Sequence, residues 1–328
     1  MSQPAERYCP SCERSFHQGQ RCAEDGTELV VISQRPDPLL GRSLNDRYTI
    51  LERLGAGGMG TVYRGTQHSV GRDVAIKVVS AALVSEADAI KRFLREAKLA
   101  SRLSHPNAVS VLDFGQTPDG VFYLVMELLS GSTLDHVLRA EGRLRLPRIM
   151  RIAQQVCDAL EGAHRLSIIH RDLKPANVML LDGSEGRDLI KVLDFGLAKS
   201  LSKDSTHTSV TMSGALLGTP AYMSPEAVAG QEVDERGDLY SLGCMLYALA
   251  SGRPPFQSDK MHELLSMHSN TAPQKLTGVP PPVAAVIARL LEKDPSARYR
   301  TAAATRHALD EAALPYLSRD LELSLIHI

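Results

Sequence analysis

The stretch His170-Arg-Asp-Leu-Lys-Pro-Ala-Asn177, followed by Asp194-Phe-Gly196, carries most of the information on fold and chemistry. It places an ammonium group, an amide and a carboxylate within a few residues, and a second carboxylate comes shortly after. Phosphoryl transfer requires such a mixture: a group that orients a hydroxyl, a cation that offsets charge, and oxygen ligands for magnesium. The other parts of such a site would have to come from elsewhere in the chain.

Bulk composition sets limits on the class of protein. The chain has 328 residues with 37 basic and 38 acidic side chains, so its formal charge of -1 gives no reason to expect nucleic acid as a partner. We find no apolar run long enough to span a bilayer and no secretory signal in Met1–Arg7. An odd count of 5 cysteines without such a signal favours a reducing, cytoplasmic location.

The first half of the chain predicts a small antiparallel sheet with one helix. Alternating or continuous apolar segments bounded by glycine and proline are typical of strands, and a longer amphipathic segment that stops before His105-Pro106 is typical of a helix. The predicted strands are Tyr48–Leu54, Thr61–Arg64, Val74–Val79, Val109–Phe114 and Val121–Glu127, and the predicted helix is Glu86–Leu103.

After Gly131 the pattern becomes helical. We predict helices over Arg148–Arg165, Ser241–Ala250, Pro282–Leu291 and Ala302–Ala313, the second apolar nearly all round and therefore buried. The predicted fold class is therefore α+β, with a small sheet lobe and a larger, mainly helical lobe.

A glycine-rich turn lies between the first two predicted strands. Gly55, Gly57 and Gly60 fit the spacing G-x-G-x-x-G, which is also that of dinucleotide-binding turns. A dinucleotide-binding turn would lead into a helix, whereas this one leads into a strand, so a hairpin flap over phosphates is favoured. Lys77 follows in Val74-Ala-Ile-Lys77; taken alone it would be an ordinary solvated lysine.

Together these motifs resemble those of the Hanks-type Ser/Thr protein kinases, in particular bacterial members with a Gly-Gly-Met-Gly loop. The resemblance covers residues 48–317 and implies a bilobal kinase domain with lobes at 48–129 and 130–317. It also implies ATP with Mg²⁺ or Mn²⁺ as cofactors, protein substrates, and autophosphorylation through a transient dimer.

The resemblance also implies catalytic roles. Asp172 would orient the substrate hydroxyl and accept its proton, and Lys174 would lie near the γ-phosphate. Lys77 would hold the α- and β-phosphates and pair with Glu96, with Glu86 as the second choice. The metal ligands would be Asn177 and Asp194.

The nucleotide would lie between the lobes. By the same resemblance Val62 and Ala75 form the roof over adenine, Met179 the floor, and Met126 the gatekeeper, while backbone groups of the next residues bond the purine edge. The full set of predicted nucleotide contacts is Leu54, Gly55, Gly57, Gly60, Val62, Ala75, Lys77, Met126, Glu127, Leu129 and Met179.

Gly218–Glu226 resembles the peptide-docking segment of Ser/Thr kinases and argues against a small-molecule kinase. Thr219 is expected to touch Asp172 and Lys174, Glu226 to pair with Arg298, and Asp238 to anchor the catalytic-loop backbone. The second alternative, a pseudokinase acting as a scaffold, would lack one or more of the catalytic side chains, all of which are present.

Residues 200–213 are rich in Ser and Thr. They are either a flexible polar loop or an activation loop controlled by phosphorylation. Arg171 precedes the catalytic aspartate, so its guanidinium could receive a phosphate. By position, Thr211 and Ser213 are the favoured sites of modification, with Thr208 as a third.

The N-terminal segment, residues 1–27, resembles the short zinc ribbons that precede some bacterial kinases. Cys9, Cys12 and Cys22 would supply three ligands, and His17 or Asp25 the fourth. The alternative is a disordered tail that happens to carry cysteines. Residues 28–47, with Arg35-Pro-Asp-Pro38, are typical of a linker.

Residues 318–328 form a tail whose last six residues, Leu323–Ile328, match the translation of a sequencing adapter. We therefore expect the natural protein to continue beyond Glu322. Such a continuation could anchor the full-length protein to a membrane.

Overall fold

The computed structural model describes residues 6–12, 14–16, 19–32, 37–57, 60–80, 87–183, 188–195 and 220–325. It confirms the predicted α+β class with a sheet lobe and a helical lobe. None of the described helices combines the length and the apolar character that crossing a bilayer would take.

A short three-stranded sheet forms from the N-terminal segment. Strand β1 (Glu6–Tyr8) pairs antiparallel with both β2 (Ser15–Phe16) and β3 (Val30–Ile32). Its small core consists of Cys9, Cys22 and Leu29. Among the described residues this is little apolar surface to stabilise a separate fold.

A six-stranded antiparallel sheet forms the N-terminal lobe, in the order β4-β5-β6-β7-β9-β8. All five predicted strands are present. The strands are β4 (Ser43–Leu44), β5 (Tyr48–Gly57), β6 (Gly60–Gln67), β7 (Arg72–Val79), β8 (Val111–Gln116) and β9 (Phe122–Glu127). The sixth strand, β4, lies within the segment predicted as a linker, where Leu44 is fully buried.

The glycine-rich hairpin joins β5 to β6, with Gly57 opposite Gly60. Gly60 has a φ of 147°, and a Cβ there would lie 2.0 Å from the carbonyl oxygen of Val78. Only glycine fits this position, because any side chain would collide with the backbone of the neighbouring strand.

Helix α1 (Ala87–Ala100) packs on one face of this sheet. Phe93 and Ala97 are buried against Phe122, Leu124 and Met126, and the rings of Phe93 and Phe122 meet edge to face at 5.9 Å. The helix ends three residues earlier than predicted, before Leu103.

The C-terminal lobe is built around two helices, α3 (Leu146–His164) and α5 (Glu235–Ser251), and it holds a small sheet (β10-β11-β12) at its upper edge. Helix α5 is buried nearly all round; it begins after the N-cap Asp234 and ends at Gly252 in the left-handed region. The elements of this lobe are β10 (Gly131–Thr133), α2 (Leu134–Glu141), α3 (Leu146–His164), β11 (Val178–Leu181), β12 (Ile190–Val192), α4 (Pro225–Val228), α5 (Glu235–Ser251), α6 (Met261–Asn270), α7 (Pro281–Leu290) and α8 (Ala302–Leu325).

Candidate active site and cysteine cluster

The loop before β11 brings the side chains of Lys174 and Asn177 into direct contact with Asp172. The Lys174 ammonium lies 2.8 Å from Asp172 Oδ2. Asn177 Nδ2 donates to the backbone oxygen of Asp172 at 2.8 Å and to Oδ2 at 3.1 Å. Since the amide nitrogen is committed to Asp172, the Oδ1 oxygen of Asn177 is left as a ligand for a cation.

Asp238, at the start of α5, anchors this loop as predicted. Its carboxylate accepts hydrogen bonds from the backbone N–H groups of His170 and Arg171, both at 2.8 Å, and contacts His164 Nε2 at 2.8 Å. Burial works to raise the pKa of Asp238, but these hydrogen bonds and the nearby histidines outweigh it and hold the pKa below its ordinary value. The ionised carboxylate of Asp238 therefore holds the backbone of the catalytic loop in place.

Arg171 lies in the left-handed region with a φ of 65°, a costly conformation for a residue with a side chain. The backbone bond to Asp238 holds it there. Its Nε is buried and has no hydrogen-bond partner among the described residues. His170 packs against Phe195, with ring centroids 4.9 Å apart, and its Nε2 contacts the backbone oxygen of Leu193 at 2.8 Å. Its Nδ1 accepts the backbone N–H of Asp172 at 3.3 Å, so the imidazole both packs against Phe195 and positions the catalytic loop.

Lys77 reaches across the cleft from β7 to Asp194, with 2.9 Å between Nζ and Oδ1. Burial works to raise the pKa of Asp194, but the lysine charge and hydrogen bond outweigh it, so the pKa is lowered. The expected pair with Glu96 is absent: no ion pair joins Lys77 to this half-buried glutamate, although the structure describes both residues. Asp194 takes the place of Glu96 as the partner of the lysine.

Four of the predicted nucleotide contacts line one apolar surface. Val62, Ala75, Met126 and Leu129 belong to one cluster under the sheet, and Ala75 pairs directly with Met126 between β7 and β9. Gly55, Gly57 and Gly60 lie in the hairpin above, and Leu54, beside it, is exposed. Met179 is half-buried on β11 and lies outside that cluster.

The side chain of Glu127 has a role that the sequence did not indicate. One of its carboxylate oxygens lies 2.7 Å from Lys191 Nζ on β12 and accepts the backbone N–H of Ser110, also at 2.7 Å. Lys191 also donates to the backbone oxygen of Ala108 at 3.2 Å. This bridge joins the segment between the lobes to the strand that leads into Asp194.

One further predicted contact lies within the described residues. Glu226 and Arg298 form a buried, two-pronged ion pair with both N–O distances at 2.8 Å, as expected. The predicted residues that lie outside the described part of the chain are His17, Glu86, Gly196, Thr208, Thr211, Ser213 and Thr219.

The ligand atoms of Cys9, Cys12, Cys22 and Asp25 all lie within 4.8 Å of one another. The sulfur atoms of Cys12 and Cys22 are 3.5 Å apart, and Cys9 Sγ lies 3.4 Å from Asp25 Oδ2. Backbone N–H groups of Cys12 and Glu24 point at the sulfur atoms of Cys9 and Cys22, each at 3.5 Å. Such donors stabilise negative charge on sulfur, so the donor set suits a tetrahedral, thiolate-rich metal site.

Bacterial Ser/Thr protein kinases are among the known proteins with similar sequences. Pkn3 of Myxococcus xanthus is 40% identical over 279 residues, which cover 83% of this chain and 51% of the relative. PknB of Mycolicibacterium smegmatis is 40% identical over 270 residues, which cover 80% of this chain and 42% of the relative. The chain thus spans about half of these relatives or less.

Solved structures show the same relationship. The crystal structure of the PknI kinase domain from Mycobacterium tuberculosis has a TM-score of 0.66 and 28% identity, and the match covers 83% of this chain and 98% of that domain. Residues 48–309 match the family described as "Protein kinase domain", and that range includes Lys77, Asp172 and Asp194. The chain is therefore a member of the protein kinase domain family.

Proposed function

We propose that this protein is a Ser/Thr protein kinase that transfers the γ-phosphoryl group of ATP to hydroxyl groups of proteins, including its own. The observation that carries the proposal is the hydrogen-bonded group of Asp172, Lys174 and Asn177, held from below by buried Asp238. The relatives named Ser/Thr protein kinase support the same activity.

The reaction assigns a task to each of these side chains. The acceptor oxygen bonds to the γ-phosphorus, the bond to the bridging oxygen breaks, and ADP leaves with that electron pair. Asp172 orients the hydroxyl and takes its proton, while Lys174, 2.8 Å away, offsets the negative charge on the reacting group.

Asp194 and Asn177 offer the carboxylate and amide oxygens that Mg²⁺ or Mn²⁺ prefers. When bound, such an ion supplies positive charge against the phosphates. Lys77 holds the nucleotide phosphates from the opposite lobe, and Glu96 on α1 would become its partner when Asp194 turns to the metal ion. The apolar cluster of Val62, Ala75 and Met126 receives the adenine.

The pivotal variant is Asp172→Asn, with Asp259→Asn on an exposed loop as the matched control. We expect Asp172→Asn to abolish autophosphorylation and transfer to an added protein, measured with γ-labelled ATP, while ATP binding measured by calorimetry stays close to wild type. The control should keep full activity. Retained turnover in Asp172→Asn would contradict the role of this aspartate, and an inactive wild-type enzyme that binds ATP would favour the pseudokinase.

We infer that autophosphorylation regulates the enzyme. The buried Nε of Arg171, which has no partner among the described residues, supports a phosphate-receiving role for this side chain. Thr211 and Ser213 are the proposed acceptors, and Thr208 is the third candidate. Phosphopeptide mapping after incubation with ATP tests this proposal, with Arg171→Gln expected to remove the gain in activity that phosphorylation brings. Full activity without modification of Thr211 and Ser213 would overturn it.

We further infer that Cys9, Cys12, Cys22 and Asp25 bind one structural zinc ion. Their convergence and the N–H groups aimed at sulfur support this site. Metal analysis of the purified protein should find one zinc ion, and Cys22→Ser should lose it. Cys157→Ala, which replaces a buried cysteine of the C-terminal lobe, is the control and should keep the zinc ion. Asp25→Ala and His17→Ala identify the fourth ligand, and a metal-free wild type at neutral pH would exclude the site.

A further inference from the structure

Four basic side chains lie on three loops of the C-terminal lobe that contact one another. Arg143 and Arg145 precede α3, Arg253 follows α5, and Lys275 lies between α6 and α7. We call these four residues the basic patch. All four are exposed.

Contacts between the loops hold the basic patch together. The backbone N–H of Leu144 donates to Leu249 at the end of α5 at 2.8 Å. Arg253 Nη2 donates to Gln274 Oε1, next to Lys275, at 3.3 Å. In the same loop, a Cβ placed on Gly278 would lie 3.4 Å from Arg143 Nη1.

The positive charge of the basic patch is not compensated locally. No ion pair within the described ranges joins any of its four side chains to a carboxylate. Glu141, the nearest acidic residue in sequence, is bound to Arg148 at 2.6 Å. Other basic residues at this end of the lobe are paired, Lys260 with Glu263 at 2.9 Å and Arg139 with Asp135. In a chain with a formal charge of -1, this is a local concentration of one sign.

Helix α5 links the basic patch to the catalytic loop. Asp238 near its start anchors the loop that carries Asp172, and Ser251 at its end is followed by Arg253. At 1.5 Å per residue Asp238 and Ser251 are about 20 Å apart along the helix axis, and an extended peptide needs at least about six residues to cover that length. A protein whose acceptor hydroxyl lies at Asp172 can therefore reach the basic patch with a segment of the same chain.

We propose that the basic patch docks an acidic segment of the protein substrate, at least about six residues from the phosphorylated Ser or Thr. The partner is defined by charge: Asp and Glu side chains complement four exposed cations that have no ion-pair partner among the described residues. The proposal rests on the proposed kinase activity for the identity of its partner. The basic patch increases the affinity for the protein substrate, while phosphoryl transfer takes place in the cleft.

The kinetic test compares two peptides with the same acceptor sequence, one followed after six residues by a run of Asp and the other by Asn. For the wild type we expect a KM about tenfold lower with the acidic tail at low salt, equal kcat, and a difference that disappears near about 0.5 M salt. The double variant Arg143→Gln/Arg253→Gln should lose this preference. Arg102→Gln/Arg300→Gln, two exposed arginines elsewhere, is the matched control.

A binding test without turnover separates this proposal from the kinase activity itself. A fluorescent octamer of Asp should bind the wild type and the control variant, and bind Arg143→Gln/Arg253→Gln at least about threefold more weakly. If the peptide binds but the protein has no kinase activity, the result would support the docking surface and contradict only the kinase assignment. The proposal would be overturned if the two tails gave equal KM values or if both double variants had equal effects. Tighter binding to anionic vesicles or RNA than to the peptide would also overturn it.

Discussion

The buried ion pair between Arg298 and Glu226 allows a prediction with a defined magnitude. All five N–H donors of the guanidinium are used. Two donate to Glu226, each at 2.8 Å, and three to the backbone oxygens of Glu292, Arg236 and Lys293 at 2.8 to 3.1 Å. The arginine side chain is 0% exposed and that of Glu226 is 5% exposed. The pair thus ties α4, beside the peptide segment, to the loop that follows α7.

Replacing Arg298 with Met keeps the volume and leaves a buried carboxylate without a counterion. Removing one partner of such a pair typically costs about 3 to 5 kcal/mol, while a whole domain is stabilised by about 5 to 15 kcal/mol. With a urea dependence of about 3 kcal/mol per molar, we expect the unfolding midpoint to fall by about 1 to 1.7 M. Urea titration followed by circular dichroism measures this shift.

Arg300→Met makes the same chemical change two residues away on an exposed side chain and should leave the midpoint nearly unchanged. The double variant Glu226→Gln/Arg298→Met should be less destabilised than the sum of the single variants, because the second change removes the stranded charge. A loss below about 1 kcal/mol in Arg298→Met would refute the reasoning, since a buried carboxylate cannot be left unpaired at so small a cost.

Three further predictions concern the cleft. Asp238→Asn should lower kcat at least about tenfold with little change in the KM for ATP, because charge-assisted hydrogen bonds to the loop contribute about 1.5 to 3 kcal/mol; steady-state kinetics measures both. Glu96→Gln should lower kcat without lowering the melting temperature, since this glutamate makes no ion pair with Lys77; an equal loss of stability would contradict that. Lys191→Met should raise the KM for ATP more than it lowers kcat, because Glu127 loses its partner. Burial works to raise the pKa of Glu127, but Lys191 and Ser110 outweigh it and lower the pKa. The stability difference between wild type and Lys191→Met should therefore shrink as the pH falls below the ordinary pKa range of Glu. Melting curves at neutral and acid pH measure this trend.

The catalytic loop could be predicted because its parts are neighbours in sequence. Asp172, Lys174 and Asn177 lie within six positions, so a single turn brings them together whatever the rest of the chain does. The Glu226–Arg298 pair and the Asp238 anchor join residues far apart, and only the resemblance to kinases indicated them. Local periodicity could not have done so.

The remaining features depend on how separate segments meet. Glu127 and Lys191 each look like an ordinary charged residue at the edge of a strand. They become a pair only because β12 meets the segment before β8, where Val192 bridges to Ala108. The strand β4 has just two residues and lies in a segment rich in turn-forming residues, so no pattern could show it. The basic patch is likewise assembled from loops that are distant in sequence.

The ion pair of Lys77 with Asp194 means that one carboxylate has two roles. Asp194 neutralises the lysine here, yet it is also the carboxylate proposed to hold a cation. A second carboxylate beside Lys77 would leave both oxygens of Asp194 to the cation, and Glu96 is the half-buried candidate. It lies on the same turn of α1 as Phe93 and Ala97, which already face the sheet. A shift of α1 along this apolar contact would therefore exchange the partners of Lys77 and couple the position of the helix to the readiness of the cleft.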